Sequence, residues 1–302
     1  MAKTLTTEMR NEKTMHLDEM STREILHVMN DEDKTVPDAV HNEINDIEQA
    51  ATTVIDSFQK GGRLIYIGAG TSGRLGILDA VECPPTFGTD QDNVQGLIAG
   101  GDNAIMKAVE GAEDDPERAK ADLKAHHLNE NDTVVGLAAS GRTPYVIGGL
   151  DYSQAIGAST VAVSCNKNAE SSRHANESIE VDVGPEILTG STRLKAGTAQ
   201  KLVLNMISTS SMIRMGKVFE NLMVDVQLTN QKLMKRAKTI ISVAAQVDHH
   251  TASSYLEKAC HNPKLAIVMI KRQCDYDEAK QTLDQAGGFV REAIALTNKE
   301  GE

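Results

Sequence analysis

The sequence predicts an α/β fold in which a parallel sheet is covered by helices on both faces. Short apolar runs rich in β-branched residues alternate along the chain with segments whose apolar residues recur at helical spacing. Several of these runs lead directly into glycine-rich turns. Strands that alternate with helices are typical of a parallel sheet. A chain of 302 residues is long enough for one such domain with smaller additions at its ends.

Helices are predicted for an N-terminal arm, defined here as residues 1–50. Ser21 and Glu24 precede apolar residues in a capping-box pattern, which marks the start of a short amphipathic helix. Pro37 opens a second helix that continues through Phe58. Two glycines at positions 61 and 62 end it.

The sheet and its connections are predicted within residues 51–240. The apolar runs predict strands at residues 63–67, 95–99, 133–135 and 160–163. The intervening periodic segments predict helices at residues 74–81, 102–110, 116–126 and 144–156. The first of these helices is expected to end before Pro84 and Pro85, because a residue that precedes proline disfavours the helical conformation.

The remainder of the chain is predicted to be helical. Helices are expected at residues 198–215, from about residue 219, and beyond residue 229. Residues 241–302 are interpreted as a small C-terminal helical domain, because polar segments there are broken by Asn262-Pro263 and by a glycine pair.

Composition excludes several classes of function. Lys and Arg number 31 against 43 Asp and Glu, a formal net charge of −12, which argues against a nucleic-acid partner. The longest aliphatic run, residues 265–270, is too short to span a membrane. The four cysteines show no paired motif, which predicts a reduced cytoplasmic protein. The His and Cys residues lack the spacing of zinc ligands, so no metal site is predicted.

A repeated glycine–serine motif is the strongest functional signal. Residues 68–74 and 136–142 share the register G-x-x-x-S-G-R, and each follows a predicted strand. The first copy also matches the G-x-G-x-x-G pattern of dinucleotide-binding proteins. The next predicted strand, however, ends in Ala99 and two glycines instead of the acidic residue that would bind a ribose.

Such turns suit a phosphate group. Backbone N–H groups and a serine hydroxyl at a helix N-terminus bind an anion without needing net positive charge. Turns that follow neighbouring parallel strands would bring Ser72 and Ser140 to the same ligand. The alternative is that both serines only cap helices, but the repetition of the whole motif favours the binding site.

Longer strings resemble the sugar isomerase (SIS) phosphosugar-binding family and, within it, the N-acetylmuramic acid 6-phosphate etherases. The resemblance covers residues 7 to about 235 and rests on five strings: TEMRN (7–11), IGAGTSGRL (67–75), VECPPTF (81–87), AASGRTPY (138–145) and GSTRLKAGTAQK (190–201). It implies a SIS-type, flavodoxin-like three-layer fold. It also implies cleavage of the D-lactyl ether of N-acetylmuramic acid 6-phosphate by a cytoplasmic homodimer that uses no cofactor and no metal.

The resemblance also implies the site residues. The two functional glutamates of the family correspond to Glu82 and Glu113, which are expected to transfer protons. Substrate binding is expected from residues in or beside the glycine turns and near position 195: Thr71, Ser72, Gly73, Ser140, Gly141, Thr143, Ser191, Thr192 and Lys195.

The residues themselves support these roles unequally. Glu82 stands where Pro84 is expected to end a helix, and a helix C-terminus together with partial burial would raise its pKa and suit it to act as an acid. Glu113, beside two aspartates, would otherwise be interpreted as part of a solvated acidic loop. A sugar-phosphate isomerase and a non-enzymatic sugar-phosphate sensor remain alternatives, because the same domain serves both.

Overall fold

The computed structural model describes residues 5–228 and 230–296, which form two compact units. One unit comprises Asp92–Thr209 together with the chain before Glu82. The other comprises Glu82–Gln91 together with the chain from Ser210 onward. The predicted division of the chain at residues 50 and 240 stays a prediction.

In the first unit, three short 3-10 turns within residues 6–19 are followed by three α-helices, α1 (Thr22–Asp33), α2 (Val36–His41) and α3 (Ile44–Gln59). The predicted capping box is confirmed, since Ser21 Oγ accepts from the Glu24 amide and the Glu24 carboxylate accepts from the Ser21 amide. The single helix expected from Pro37 to Phe58 is two helices. The chain turns at Glu43, which is buried and forms an ion pair with Lys167 at 2.5 Å.

Five parallel strands form the sheet of the first unit. They are β1 (Leu64–Gly68), β2 (Val94–Ile98), β3 (Thr133–Leu137), β4 (Ser159–Ser164) and β5 (Glu177–Glu180), in the order β2-β1-β3-β4-β5. This order is that of flavodoxin-like folds, so the predicted fold class is confirmed. The sequence analysis missed β5, because Ile179 is its only apolar residue and the strand carries no hydrophobic signal.

Helices cover both faces of this sheet. The connecting helices are α4 (Gly70–Phe87), α5 (Asn103–Met106), α6 (Pro116–Ala125), α7 (Pro144–Ile156) and α8 (Lys195–Arg214). Leu123 of α6 and Leu150 of α7 pack against Ile67 on one face. Tyr66 points to the opposite face, where its hydroxyl donates to Asp79 of α4 at 2.9 Å. The unit therefore has three layers.

Two predicted helix boundaries are wrong. The helix expected over 102–110 is the short α5, and Gly111 beyond it has the left-handed φ of +74°. Helix α4 does not end before Pro84 but runs through Pro84 and Pro85 to Phe87. Proline supplies no N–H, so the two prolines leave the carbonyls of Ala80 and Val81 without their helical donors while the helix continues.

The described part of the second unit contains a small hairpin, five complete helices and the ends of α4 and α8. Strands β6 (Val218–Phe219) and β7 (Leu222–Met223) are antiparallel, and they replace the helix expected from residue 219. Glu220 has the left-handed φ of +55°, which turns the chain there. The helices are α9 (Gln231–Ala245), α10 (His249–Lys258), α11 (Pro263–Arg272), α12 (Tyr276–Gln285) and α13 (Val290–Ala295). They pack around a core of aliphatic side chains that includes Ile241, Leu256 and Val268.

Within residues 5–228 and 230–296, every helix is too short or too polar to cross a membrane.

Candidate active site

The two repeated motifs follow neighbouring strands. Strand β1 pairs in parallel with β3, and Gly68 at the end of β1 lies opposite Leu137 at the end of β3. The first serine turn (residues 68–74) and the second serine turn (residues 136–142) therefore begin at the same edge of the sheet. This edge is where ligands bind in open α/β sheets.

The first serine turn lies partly inside helix α4, which begins at Gly70. The amides of the first helical turn have no acceptor within the helix, so they can bind an anion. Gly73 permits the close turn, because a Cβ added there would lie 2.8 Å from the Gly68 oxygen. Ser72 is 8% exposed, and its hydroxyl donates to Gln200 Oε1 on α8 at 2.8 Å.

The second serine turn has a different local structure. It precedes α7 by one residue, Thr143, which occupies the N-cap position without a side-chain hydrogen bond to the helix. Ser140 Oγ accepts from the Arg142 amide at 3.3 Å, and Ser140 is half-buried. Gly141 has a φ of +70°, and a Cβ there would lie 2.4 Å from Ala169 Cβ. Neither Ser72 nor Ser140 is an N-cap, so the helix-capping alternative is wrong.

Glu113 lies at the same edge of the sheet. It is exposed, in a short 3-10 turn, Ala112–Asp114, between α5 and α6. A Cβ added at Gly100, just after β2, would lie 3.3 Å from Ala112 Cβ, so this turn lies against the loop that follows β2. Asp115 caps α6, accepting from the amides of its first turn, and Glu113 has no capping role.

Glu82 lies on α4, in the part of this helix that belongs to the second unit. Its side chain is exposed, and the helix continues beyond it for five residues to Phe87. The expectation of partial burial at a helix C-terminus is therefore wrong, because the helix continues through Pro84 and Pro85.

Three of the secondary candidates lie near the start of α8. A Cβ added at Gly197 would lie 3.5 Å from Thr71 Cγ2 and 3.6 Å from the Thr192 oxygen. The Thr192 oxygen also accepts from the Gly197 amide at 3.0 Å. Ser191 lies in the same turn, half-buried. Thr71 of the first serine turn therefore lies beside Gly197, in the first turn of α8.

Lys195, the first residue of α8, is buried and bound within the protein. Its Nζ lies 2.7 Å from the buried Glu32 carboxylate, which also accepts from Lys13 and Asn11. Burial opposes ionisation of Glu32, but these three donors outweigh it and lower its pKa to about 2. The Lys195 amide donates to Glu186 at 3.0 Å, and burial raises the pKa of that carboxyl group.

Within the described ranges, 5–228 and 230–296, no three His, Cys, Asp or Glu side chains are grouped so as to hold a metal ion. No disulfide joins any of the four cysteines within these ranges, and Cys83 and Cys165 are buried.

Gln200 is a site residue that the sequence analysis did not single out. It lies on α8 among buried apolar neighbours that include Ala196, Ala199 and Val203, and it is 1% exposed. A polar side chain within the apolar stripe of a helix is the signal that could have identified it. Glu32 gave no comparable signal, because it lies in a polar stretch of sequence.

Family models match two parts of the chain. The model for the glucokinase regulatory protein N-terminal SIS domain matches residues 46–154. The model for the C-terminal lid domain of glucokinase regulatory protein matches residues 220–265. A phosphoheptose isomerase structure from Francisella tularensis is 15% identical, with a TM-score of 0.50, covering 64% of this chain and 100% of that one. At this identity the likeness supports the fold alone.

Relatives of much higher identity extend over nearly the whole chain. Proteins named N-acetylmuramic acid 6-phosphate etherase from Bacillus cereus and Bacillus cytotoxicus are 65% and 64% identical over 294 residues. The matched region is 97% of this chain and 100% of each relative. The chain therefore belongs to the N-acetylmuramic acid 6-phosphate etherase family.

Proposed function

We propose that this protein cleaves the D-lactyl ether of N-acetylmuramic acid 6-phosphate. The products are N-acetylglucosamine 6-phosphate and D-lactate, so the enzyme is a carbon–oxygen lyase that acts in the recycling of cell-wall amino sugars. The observation that carries the proposal is the 65% identity to a Bacillus cereus protein of that name over its entire length.

The reaction is an elimination followed by addition of water. Opening of the sugar ring exposes an aldehyde, which makes the C–H bond at the carbon bearing the acetamido group acidic. A base removes this proton, and the lactyl oxygen leaves from the next carbon as an acid protonates it. Water then adds to the double bond. The scheme requires two proton-transfer groups and an anchor for the phosphate.

We assign the two proton transfers to Glu82 and Glu113. Glu113 is the candidate base for the C–H proton, and its exposed carboxylate is available because Asp115 performs the capping of α6. Glu82 is the candidate acid that protonates the lactyl oxygen and later activates water. A carboxyl pair of this kind contributes roughly 10²–10⁴-fold per proton transfer.

We assign the phosphate to the two serine turns. Ser72, Gly73 and the first-turn amides of α4 would bind it from one side, and Ser140 with Gly141 from the other. Thr71, Thr143, Ser191 and Thr192 are proposed to bind the rest of the sugar. Lys195, which pairs with the buried Glu32 at the start of α8, is proposed to bind the phosphate or the lactyl carboxylate of the substrate.

We further propose that the enzyme is a cytoplasmic homodimer. Four cysteines that form no disulfide within the described residues suit a reducing compartment. Leu78 and Val81 of α4 are 50% and 58% exposed, and Met106 is 85% exposed, an amount of apolar surface that suits contact with a second copy. Light scattering coupled to size-exclusion chromatography measures the mass, and a monomer at all concentrations would contradict this proposal.

The decisive experiment is a coupled D-lactate assay with N-acetylmuramic acid 6-phosphate in heavy-oxygen water. We expect stoichiometric release of D-lactate, with the oxygen label in the sugar product. Label in the lactate would contradict elimination and addition. A ketose phosphate without lactate would indicate an isomerase, and no turnover would indicate a sugar-phosphate sensor.

A further inference from the structure

The Ser72–Gln200 pair contains an N–H donor for which residues 5–228 and 230–296 supply no acceptor. The Ser72 hydroxyl donates to Gln200 Oε1 at 2.8 Å, so the carbonyl side of the amide is satisfied. The Nε2 atom of the same amide is inaccessible to solvent and has no hydrogen-bond partner within the part of the chain that the structure describes. Gln200 as a whole is 1% exposed.

Packing does not account for this glutamine. Its neighbours on the buried stripe of α8, Ala196, Ala199 and Val203, are apolar, and a methionine of similar length would fill the same space. A buried N–H without an acceptor is destabilising, and such groups in native proteins call for an explanation. The only hydrogen bond of the Gln200 side chain within the described residues is the one to the serine of the first serine turn.

We propose that Gln200 is a positioning residue that switches Ser72 between two hydrogen-bond arrangements; this inference rests on the proposed binding of a sugar phosphate by the first serine turn. Without ligand, the Ser72 O–H points to Gln200 Oε1. A phosphate oxygen is only an acceptor, so Ser72 must turn its O–H toward the anion when phosphate binds. Rotation of the Gln200 amide then brings Nε2–H to Ser72 Oγ.

The switch exchanges one unsatisfied group for another that is less unfavourable. In the bound arrangement the formerly unpaired N–H donates to Ser72 Oγ, and the amide oxygen is left without its donor. Unpaired carbonyl oxygens are tolerated in protein interiors more often than unpaired N–H groups. The amide also fixes the orientation of the Ser72 hydroxyl. When Ser72 Oγ accepts from Gln200, the hydroxyl hydrogen points away from Gln200 and toward the ligand.

The test measures binding of N-acetylglucosamine 6-phosphate and of inorganic phosphate by calorimetry in five variants of the full chain. Gln200→Met removes the amide, and we expect roughly fivefold weaker binding, since Ser72 loses its orienting donor. Gln200→Glu keeps the shape of the side chain, but its carboxylate can only accept hydrogen bonds. It therefore keeps the Ser72 hydroxyl hydrogen directed toward itself and repels the anion, so we expect at least about tenfold weaker binding. Ser72→Ala is expected to weaken binding about tenfold.

The double variant Ser72→Ala/Gln200→Met separates positioning from packing. If Gln200 acts through Ser72, the double variant binds no more weakly than Ser72→Ala alone. Thr198→Glu, at an exposed position on the same helix, controls for added charge and is expected to bind like the unchanged protein. In turnover, Gln200→Met is expected to raise KM with kcat nearly unchanged, a split that general loss of structure would not give.

Unchanged binding by Gln200→Met and Gln200→Glu overturns the proposal, as does a double variant in which the two losses multiply. Circular dichroism verifies that each variant is folded. If Gln200→Met does not fold, Gln200→Glu takes its place in the test. The two proposals fail separately. If the unchanged protein releases lactate but the Gln200 variants bind phosphate normally, only the switch is rejected. If the unchanged protein releases no lactate but the Ser72 and Gln200 variants lose phosphate binding in the coupled way expected, only the etherase activity is rejected.

Discussion

The two serine turns share a sequence pattern but not a local structure. Both follow parallel strands that pair with each other, and both carry G-x-x-x-S-G-R. Helix α4 begins within the first turn, at Gly70, whereas α7 begins at Pro144, after the second turn has ended. Ser72 donates to a side chain 128 residues away, whereas Ser140 accepts from the amide of Arg142. The repeated pattern therefore determines the position of each serine but not its partner.

This difference assigns the turns unequal tasks. The first turn presents the amides of a helix N-terminus, with a serine whose hydrogen is already engaged by Gln200. The second turn presents Ser140, whose oxygen accepts from a neighbouring amide while its hydrogen remains available to a ligand. A phosphate between them would receive N–H groups mainly from the first turn and a ready hydroxyl from the second.

The largest expected effect is a loss of catalysis that leaves ligand binding by the two serine turns intact. Glu113→Gln should lower kcat by roughly 10³-fold, because it removes the proposed base. Binding of N-acetylglucosamine 6-phosphate should stay within about twofold, because the turns are intact. Solvent deuterium exchange at the carbon bearing the acetamido group, measured by NMR, should disappear. Exchange at the normal rate would reject the assignment of Glu113.

A change at the start of α8 should disturb the first turn more than the second. Glu32→Gln leaves the buried Lys195 ammonium without its counter-charge, which should lower the free energy of unfolding by about 3 kcal/mol. Denaturant unfolding measures this loss. In phosphate titrations followed by NMR, the Ser72 amide should lose its response and the Ser140 amide should keep it. Equal loss at both amides would contradict the expected difference.

The same pair predicts an acid dependence. The pKa of Glu32 is lowered from 4.5 to about 2 in the folded protein, so its contribution to stability is complete above about pH 4.5. The contribution is lost as the pH falls from there toward 2. Unfolding of the unchanged protein should therefore become easier across this range, and the difference from Glu32→Gln should shrink. A difference that is constant with pH would show that Glu32 is not ionised in the folded protein.

The serines themselves give a smaller and more selective contrast. Ser140→Ala should raise KM roughly 30-fold through loss of a charge-assisted hydrogen bond, with an unchanged free energy of unfolding. Ser72→Ala should raise KM less, about tenfold, but should also lower the free energy of unfolding by about 1 kcal/mol, because the buried Gln200 amide loses its partner. Kinetics and denaturant unfolding on both variants test the contrast, and identical stability of the two variants would reject it.

The arginines that end the two motifs should differ least. Arg74 donates to the carbonyl oxygens of Ile105 and Ala104, at 2.8 and 2.7 Å, and so holds the end of α5. Arg74→Ala should lower the free energy of unfolding by about 1–2 kcal/mol. Arg142 is exposed, and Arg142→Ala keeps the amide that Ser140 needs, so the expected change is within about 0.5 kcal/mol. Thermal unfolding distinguishes the two.

The accuracy of the sequence-based predictions depended on whether the signal was local. Helix α7 matched its predicted bounds, because Pro144 at its start and Gly157 after its end are local signals. Helix α4 did not, because packing carries it through Pro84 and Pro85 against the local preference. Strand β5 has one apolar residue and depends on pairing with β4, which no local pattern reports.

The candidate site follows the same division. The repeated motif correctly predicted two serines at neighbouring strand ends, because a parallel sheet aligns the carboxyl ends of its strands. The partner of Ser72 was not predictable, since Gln200 reaches it only through the packing of α8. The buried pair between Glu32 and Lys195 joins residues 163 positions apart and is equally invisible in the sequence.

The most direct test is a crystal structure with N-acetylglucosamine 6-phosphate bound. The account predicts a single phosphate within hydrogen-bond distance of both Ser72 Oγ and Ser140 Oγ, with the Ser72–Gln200 contact retained. A phosphate bound by only one of the turns, or bound elsewhere, would contradict it.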